Sequence, residues 1–283
     1  MKPAVASPAT RTLCLRVAPL SGATVRLTDH VRDLTMSGGQ TYLSTAGYEF
    51  TGYSSTAGFS PGSLDLQGIA GVAGISRAQI ASGLFDGATV SAFATSWGSP
   101  VEDEEPIVRG IFGKARLEDD RYVIDGLSLI DALSTARNDQ FTAQCPKVFL
   151  SQGFAGCLVP VAPNTVTGSL TSVSSGSLFT DSARSEGSDT FAAGTIRFTS
   201  GANAGLKALE IASYTTGGVI ETFEPFYYTP QIGDSYTMIR GCRKRTQDCE
   251  ARQGVSGTFN NIANFGGFPW VPTGSVYGQW GQK

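Results

Sequence analysis

The sequence predicts a mainly β protein, and three observations support that fold class. Glycine, serine and threonine are abundant, with 35 glycines among 283 residues, whereas charged residues make up only 16% of the chain. Short runs in which apolar and polar residues alternate recur between glycine-containing turns, as half-buried strands require. Start and stop signals for helices are confined to short segments. These features argue against a helical bundle and favour strands joined by many turns.

The chain length predicts more than one compact unit, because 283 residues with a 41% apolar fraction can bury two or three cores. We expect an N-terminal β-rich domain with short helices at residues 1–140 and a first cysteine-pair segment at 141–160. An inserted small β-barrel or sandwich is expected at 161–240. A C-terminal cysteine and aromatic segment follows at 241–283, and we expect it to pack back on the middle of the chain.

The N-terminal domain contains clear strand signals. Residues 12–17 and 24–27 alternate as strands do. Residues 107–114 and 121–127 are predicted as two strands joined by an acidic hairpin. The domain is therefore expected to be built around an antiparallel sheet.

Two short helices are predicted in the same domain. Residues 76–83 have Ser76 as an N-cap and Gly83 as a C-terminal stop, and residues 128–138 form a second candidate. The four consecutive carboxylates at 102–105 lack the spaced ligands of a calcium loop. We interpret them as an acidic loop between strands.

His30 is the only histidine in the chain, and it follows Asp29. Adjacent side chains on a strand point to opposite faces, so the two residues do not form a catalytic pair there. No strained nucleophile turn occurs nearby. We therefore interpret His30 as a turn or interface residue.

The inserted unit begins with a region rich in serine and threonine. Its predicted strands lie at residues 165–171, 194–198, 206–214, 219–225 and 234–239. A small barrel or sandwich of five or six strands is expected. The unit lies between two groups of cysteines that we interpret below as one site. Its two ends must therefore lie close together.

Four of the five cysteines form two pairs along the chain, Cys145 with Cys157 and Cys242 with Cys249. We interpret them as one site, which closes when the late part of the chain returns to the middle. Such a site either holds a metal centre or forms disulfides. Cys14 lies in a predicted strand and is interpreted as a small buried hydrophobic residue.

Charge and hydropathy argue against several kinds of partner. The net charge is −3, and the basic run at 243–245 is too short to wrap nucleic acid. No apolar run reaches the roughly 18 residues of a transmembrane helix. Residues 1–13 lack the apolar region of a secretory signal. We therefore expect synthesis in the cytoplasm, where thiols stay reduced.

Several blocks of the sequence resemble successive blocks of one known family. They comprise residues 28–30, 83–90, 97–100 and 109–113, and a late block with Cys242, Cys249 and the run Asn264-Phe265-Gly266-Gly267-Phe268-Pro269. Their order and this ending resemble the baseplate hub (tail-tip) proteins of siphophage-like particles and bacterial gene transfer agents. The matches span most of residues 12–274, although residues 160–240 match only in strand pattern.

The resemblance implies a structural, non-enzymatic function at a virion tail tip. Three copies would form a ring-shaped hub that closes the tail tube and binds the ring of distal tail proteins. The same hub would seat a central spike or fibre protein, and DNA would only pass through its lumen. Synthesis would take place in the host cytoplasm. The aromatic tail at 276–280 is interpreted as a docking strand for a neighbour. Trp270 departs from the family pattern, and we assign no function to it.

The resemblance also implies a cofactor. The lambda-type tail-tip protein L, a more distant relative, is associated with an iron–sulfur cluster on four cysteines. By resemblance we assign cluster binding, expected to be of the [4Fe–4S] type, to Cys145, Cys157, Cys242 and Cys249. The gaps of eleven and six residues within the pairs exceed the roughly two to four typical of zinc ligand pairs. We rank a cluster first, two disulfides second, zinc third and unpaired cysteines last.

Two other functions remain open from the sequence. One is an iron–sulfur redox or sensor protein with the β domains as a shell, although no flavin or nicotinamide fingerprint is present. The other is a tail-associated hydrolase, which would need a nucleophile with a base or a spaced pair of carboxylates. The single His30 argues against it. The favoured function of a cluster is to fix residues 241–274 onto residues 140–160.

Overall fold

The computed structural model describes residues 8–44, 48–53, 63–69, 75–118, 121–128, 141–153, 155–250 and 259–270. The chain divides into two compact units. The first comprises Met1–Ala136 with Gly205–Lys207, and the second comprises Arg137–Ala204 with Ala208–Lys283. Each unit contains a seven-stranded sheet. The predicted mainly β fold class is therefore confirmed.

The first unit is built on an antiparallel sheet that contains the predicted N-terminal strands. Its members are β1 (Arg11–Ala18), β2 (Val25–Thr28), β5 (Tyr48–Tyr53), β6 (Ser63–Ile69), β7 (Thr89–Ser96), β8 (Glu105–Glu118) and β9 (Arg121–Ser128). The strand order is β2-β1-β7-β8-β9-β6-β5. A separate hairpin pairs β3 (Leu34–Thr35) with β4 (Thr41–Tyr42).

The predicted helix at 76–83 is confirmed as α1 (Arg77–Ala81). Ser76 accepts a hydrogen bond from the backbone of Gln79, whose side chain bonds back to Ser76 in a capping box. Gly83 has a φ of 71°, a left-handed conformation that ends the helix. Ile80 joins Leu15 of β1 in the main apolar core. The helix therefore covers one face of the sheet.

The opposite face of the sheet carries a smaller buried cluster. The β3–β4 hairpin supplies part of it, and β1 and β7 supply the rest; the members are Cys14, Leu34, Met36, Tyr42 and Phe93. Cys14 is only 1% exposed, and burial raises the pKa of its thiol to about 11. Its interpretation as a buried hydrophobic residue is confirmed.

Residues 102–104 of the acidic run lie in the connection from β7 to β8, and Glu105 begins β8; carboxylates of the run form ion pairs with basic side chains. Glu102 accepts a hydrogen bond from the Tyr42 hydroxyl at 2.6 Å and pairs with Arg16 at 3.0 Å. Asp103 pairs with the same guanidinium at 3.1 Å. Residues 102–104 form a loop between strands, as predicted, whereas Glu105 belongs to β8. The carboxylates of Glu102 and Asp103 help to neutralise Arg16.

The second unit contains seven strands rather than the expected five or six. They are β10 (Thr165–Ser169), β11 (Ser172–Val173), β12 (Leu178–Thr180), β13 (Thr195–Phe198), β14 (Leu209–Thr215), β15 (Val219–Thr222) and β16 (Ser235–Ile239). The order is β10-β16-β13-β14-β15-β12-β11. The short β11 and β12 lie in the serine-rich region, where little apolar alternation marks a strand. Phe179, Phe198, Ile211 and Tyr236 are fully buried in its core.

The segments on either side of this sheet have little regular structure. The segment after the sheet, which begins at residue 241 and is called the late segment below, contains α2 (Thr246–Cys249), a single helical turn. It also contains a 3₁₀ turn at Ile262–Asn264. The predicted helix at 128–138 lies outside the described residues except for Ser128. No helix in the described part of the chain has the length and apolar character needed to cross a membrane.

Candidate four-cysteine site

The segment around Cys145 is held by residues far away in the sequence. The N–H of Cys145 donates to the carbonyl of Lys244 at 2.8 Å. The N–H of Gly266 donates to the Cys145 sulfur at 3.4 Å. Both contacts attach the middle of the chain to the late segment, within the second unit.

Cys157 is attached to the same late segment through Asn261. The side-chain amide of Asn261 donates to the Cys157 carbonyl at 2.5 Å and lies 3.8 Å from the Cys157 sulfur. Its backbone N–H donates to the carbonyl of Cys249 at 2.7 Å. Asn261 therefore links one cysteine of each pair. Of these two cysteines, Cys157 is only 8% exposed.

Cys249 ends α2 and is 5% exposed. The helical turn begins after Arg245, whose N–H donates to the Asp248 carboxylate at 3.0 Å and whose guanidinium pairs with that carboxylate at 3.1 Å. These local contacts form the turn that separates Cys242 from Cys249.

The four thiols are close enough to interact electrostatically. The pKa of Cys249 is raised to about 11, first by burial and then by the charges of Cys242, Cys145 and Cys157. Burial also raises the pKa of Cys242, whereas a backbone hydrogen bond from Lys244 and the Lys244 charge favour its thiolate. Deprotonating the set would therefore bring several negative charges together in a buried place. Such a set of thiolates needs a compensating positive charge.

The aromatic and glycine residues of the late block pack around the cysteine segments. Phe268 contacts Phe141 edge-to-face, with ring centroids 4.7 Å apart, and its N–H donates to the Thr142 carbonyl at 2.7 Å. A Cβ atom at Gly267 would lie 2.8 Å from the Ala143 carbonyl oxygen. The Gly-Phe-Pro run thus combines an aromatic contact with a close backbone approach that requires glycine.

Unusual backbone conformations are concentrated in this site. Eight non-glycine residues of the described chain have a positive φ, and five of them lie here: Leu150, Ala155, Leu158, Lys244 and Asn260. Side chains rarely adopt this region, so each such residue stores strain that the surrounding contacts must offset. Strain of this kind is typical of functional sites and tight structural junctions.

All five cysteines are free thiols. Among the described residues, no group of three or more His, Cys, Asp or Glu side chains is arranged to hold a metal ion. The electrostatic contacts between the cysteines therefore do not amount to a ligand shell around one ion. The metal and cofactor assignments from the sequence remain predictions.

Sequence reasoning missed Asn261 and the sulfur contact of Gly266. Asn261 lies three residues before the start of the quoted run, and nothing in its sequence context marks a side chain that bridges two segments. His30 stacks on Trp97 with ring centroids 5.8 Å apart, and its Nδ1 bonds to the Arg32 backbone. His30 is therefore a turn residue, as predicted.

Comparison with known proteins identifies the class of protein. A family described as "baseplate hub protein, N-terminal attachment domain" matches residues 4–159. A second, "phage conserved hypothetical protein BR0599", matches residues 189–274. The chain is therefore a structural protein of a phage-type virion tail. Because the first match covers more than half of the chain, this protein belongs to the baseplate hub family, and the resemblance found in the sequence is confirmed.

The fold recurs in a solved particle. A chain in a structure described as "virion of native gene transfer agent (GTA) particle" aligns with a TM-score of 0.72 and 22% sequence identity. The alignment covers 95% of this chain and 90% of that chain, so the two share their architecture over nearly their whole length. No curated protein matches the sequence.

Proposed function

We propose that this chain is a non-enzymatic ring subunit of the baseplate hub, present in three copies at the tail tip. The ring closes the tail tube, binds the distal tail protein ring and seats the central spike or fibre protein. The observation that carries this proposal is the family match over residues 4–159. The shared architecture with a chain of the gene transfer agent virion supports it.

The sheets have features that suit a ring subunit. The strand order ends in two outer strands in each sheet, β2 and β5 in the first unit and β10 and β11 in the second. The outer side of β2 is partly paired, because Leu43 exchanges backbone hydrogen bonds with Arg26 and Thr28. Open edges expose unpaired backbone groups, and assembly into a closed ring is one way to cover them. The net charge of −3 also limits attraction to DNA that passes through a lumen.

We further propose that Cys145, Cys157, Cys242 and Cys249 hold an iron–sulfur cluster in the assembled protein. Four free thiols supply the donor set that such clusters take. The N–H of Gly266 already points at the Cys145 sulfur at 3.4 Å, and N–H···S bonds of this kind stabilise cluster ligands. When bound, the cluster would cross-link the middle of the chain to its late segment.

The four thiols fit a cluster in kind, and among the residues that the structure describes no group of ligands is arranged around a single ion. A single ion needs three or more ligands converging on one point, which the described residues do not provide. A cubane cluster instead takes one thiolate at each of four separate irons. The positively charged Lys244, which opposes the rise in the pKa of Cys242, would offset part of the cluster's negative charge.

Gene disruption tests the structural function. We expect particles from a strain without this chain to lack a complete tail tip, and expression of the chain in trans should restore the tip. Electron microscopy of purified particles and a count of infectious or DNA-transferring particles provide the readouts. Complete, active tips in the strain without the chain would contradict the proposal.

Anaerobic purification followed by iron and sulfide assays tests the cluster. We expect iron, sulfide and a cluster absorption spectrum in the purified protein, all lost in Cys242→Ser. Cys14→Ala is the matched control, because Cys14 is buried in the first unit and outside the site. If Cys242→Ser also prevents tip assembly, the cluster is structural; intact particles that lack a redox or sensory response would favour the alternative function. Absence of iron from the anaerobic protein would reject the cluster.

A further inference from the structure

A cavity opens on the sheet of the first unit, outside the cysteine site. It has a volume of 320 Å³ and is lined in part by Arg16, Ser91, Asp103, Ile107 and Arg109. This volume is at the lower end of the range of about 300–1,000 Å³ that ligand pockets occupy. The space therefore suits a small ligand.

Strand pairing brings basic side chains into one row across the sheet. Arg16 of β1 lies opposite Arg26 of β2 and opposite Ser91 of β7, and Ser91 lies opposite Arg109 of β8. Residues directly opposite each other on adjacent strands share a face of the sheet. Three guanidinium groups and one hydroxyl are therefore neighbours on a single surface.

The acidic run at 102–105 neutralises part of the positive charge at one end of this row. Glu102 lies 3.0 Å from the guanidinium of Arg16 and 3.8 Å from that of Arg26. Asp103 pairs with Arg16 at 3.1 Å. Arg109, at the other end of the row, forms no ion pair with any described residue. Within the described residues, the guanidinium of the row that has no ion pair is therefore that of Arg109, which lines the cavity.

Ser91 supplies a second polar group at the same place. Ser91 is 8% exposed and lines the cavity. Its hydroxyl forms no hydrogen bond within the described part of the chain, and it is not among the fully buried polar atoms that lack a partner. The hydroxyl is therefore accessible from the cavity and can donate to a ligand there.

A bulge shapes the cavity wall. The pairing of β7 with β8 shifts register between Ala92 and Phe93, and the cavity is lined there by Pro106 and Ile107. Bulges often re-aim side chains next to binding sites. The result is an apolar wall beside the guanidinium of Arg109 and the hydroxyl of Ser91.

We propose that this cavity binds a carboxylate on a short aliphatic stem. Arg109 contacts both carboxylate oxygens, the Ser91 hydroxyl donates to one of them, and the stem packs on Ile107 and Pro106. Arginine is suited to this geometry because its planar fork matches a carboxylate. Asp103 at the cavity edge disfavours a doubly charged phosphate. The carboxylate belongs either to a free acid or to an aspartate or glutamate side chain of another protein.

Titration of the full chain with glutarate, followed by NMR of the Ser91 and Val108 amides, tests the proposal. We expect saturable shifts, an affinity reduced at least about ten-fold in Arg109→Gln, as loss of a charged hydrogen-bonding pair implies, and an intermediate loss in Arg109→Lys. Arg32→Gln, a change at an exposed arginine outside the cavity, is the matched control and should bind as the wild type does.

A second probe, a blocked peptide with one central glutamate, distinguishes the two possible sources of the carboxylate. Binding of the peptide, lost when its glutamate is replaced by glutamine, would indicate a protein side chain, whereas binding of glutarate alone would indicate a free acid. The proposal is overturned if neither probe gives saturable shifts or if Arg109→Gln binds as the wild type does. Equal binding of inorganic phosphate would overturn the preference for a carboxylate.

Discussion

The N–H of Cys145 donates to the carbonyl of Lys244 at 2.8 Å, which joins two segments that flank an entire seven-stranded sheet. Lys244 has a φ of 64°, and its ammonium group also donates to the carbonyl of Lys147. One residue in a strained conformation thus contacts the middle segment at two points. These hydrogen bonds hold together the segments that come before and after the sheet in the sequence. Cysteines from both segments can therefore contribute to one site.

The first prediction concerns Asn261, which bonds to the Cys157 and Cys249 segments. We expect Asn261→Ala to lower the free energy of unfolding by about 1–2 kcal/mol, because the buried carbonyl of Cys157 loses its donor. Hydrogen exchange should quicken at residues 155–160. Gln247→Ala is the control, since Gln247 is exposed on α2. Equal exchange rates in the two variants would contradict the bridging function.

The second prediction concerns Gly241. A methyl group at this position would overlap the carbonyl oxygen of Ala192 and crowd the N–H of Gly194, so Gly241→Ala should destabilise the second unit by about 3 kcal/mol. Gly187→Ala is a matched control, because no atom lies within 4 Å of its added Cβ. Chemical denaturation measures both variants. Equal midpoints would show that the backbone at Gly241 is less constrained than the structure indicates.

The third prediction concerns the pH dependence of the first unit. Burial by itself would raise the pKa of Glu102, but the hydrogen bonds from Tyr42 and Arg16 outweigh it and hold this pKa below its ordinary value. The stabilisation is therefore complete above the pKa that Glu102 has in the unfolded chain, and it is lost as pH falls through the lower folded-state pKa.

Tyr42→Phe tests this relationship. We expect a loss of about 2 kcal/mol at neutral pH, the value of a hydrogen bond to a charged group. When the pH is lowered from neutral to below the ordinary pKa of Glu102, the free energy of unfolding should fall less in the variant than in the wild type. Urea unfolding across this range is the measurement. An unchanged pH dependence in both Tyr42→Phe and Glu102→Gln would refute the electrostatic interpretation.

The fourth prediction concerns a buried pair in the second unit. The hydroxyl of Tyr236, which is completely buried, donates to the Asp181 carboxylate at 2.6 Å, and Asp181 is itself 2% exposed. Tyr236→Phe should lower the free energy of unfolding by about 2 kcal/mol, because a buried carboxylate loses a donor. Tyr228→Phe, at a ring that is 43% exposed, should change it by less than about 0.5 kcal/mol. Similar losses in both would contradict the buried network.

Local signals in the sequence were sufficient for much of the fold. The capping residues Ser76 and Gly83 predicted α1 correctly, because both act within one or two turns of chain. Alternation predicted β1 and the β8–β9 hairpin for the same reason. The short β11 and β12 were missed, since two or three residues are too few to show a period.

Long-range contacts could not be predicted in the same way. Residues 102–104 of the acidic run were correctly predicted as a loop, although Glu105 begins β8. The pairing of Glu102 with Arg16 depends on the register of β1 against β7. Asn261 bonds to Cys157 across a whole inserted sheet, so no local pattern reveals it. The cysteine pairs were visible only because their residue type is rare and chemically distinctive.

Cryo-electron microscopy of the assembled particle tests whether this chain forms the hub. We expect copies of the chain in a closed ring around the lumen at the tail tip, between the distal tail protein ring and the central spike or fibre. The position of the chain in the head or along the tube, or a complete tip without it, would contradict the proposed function.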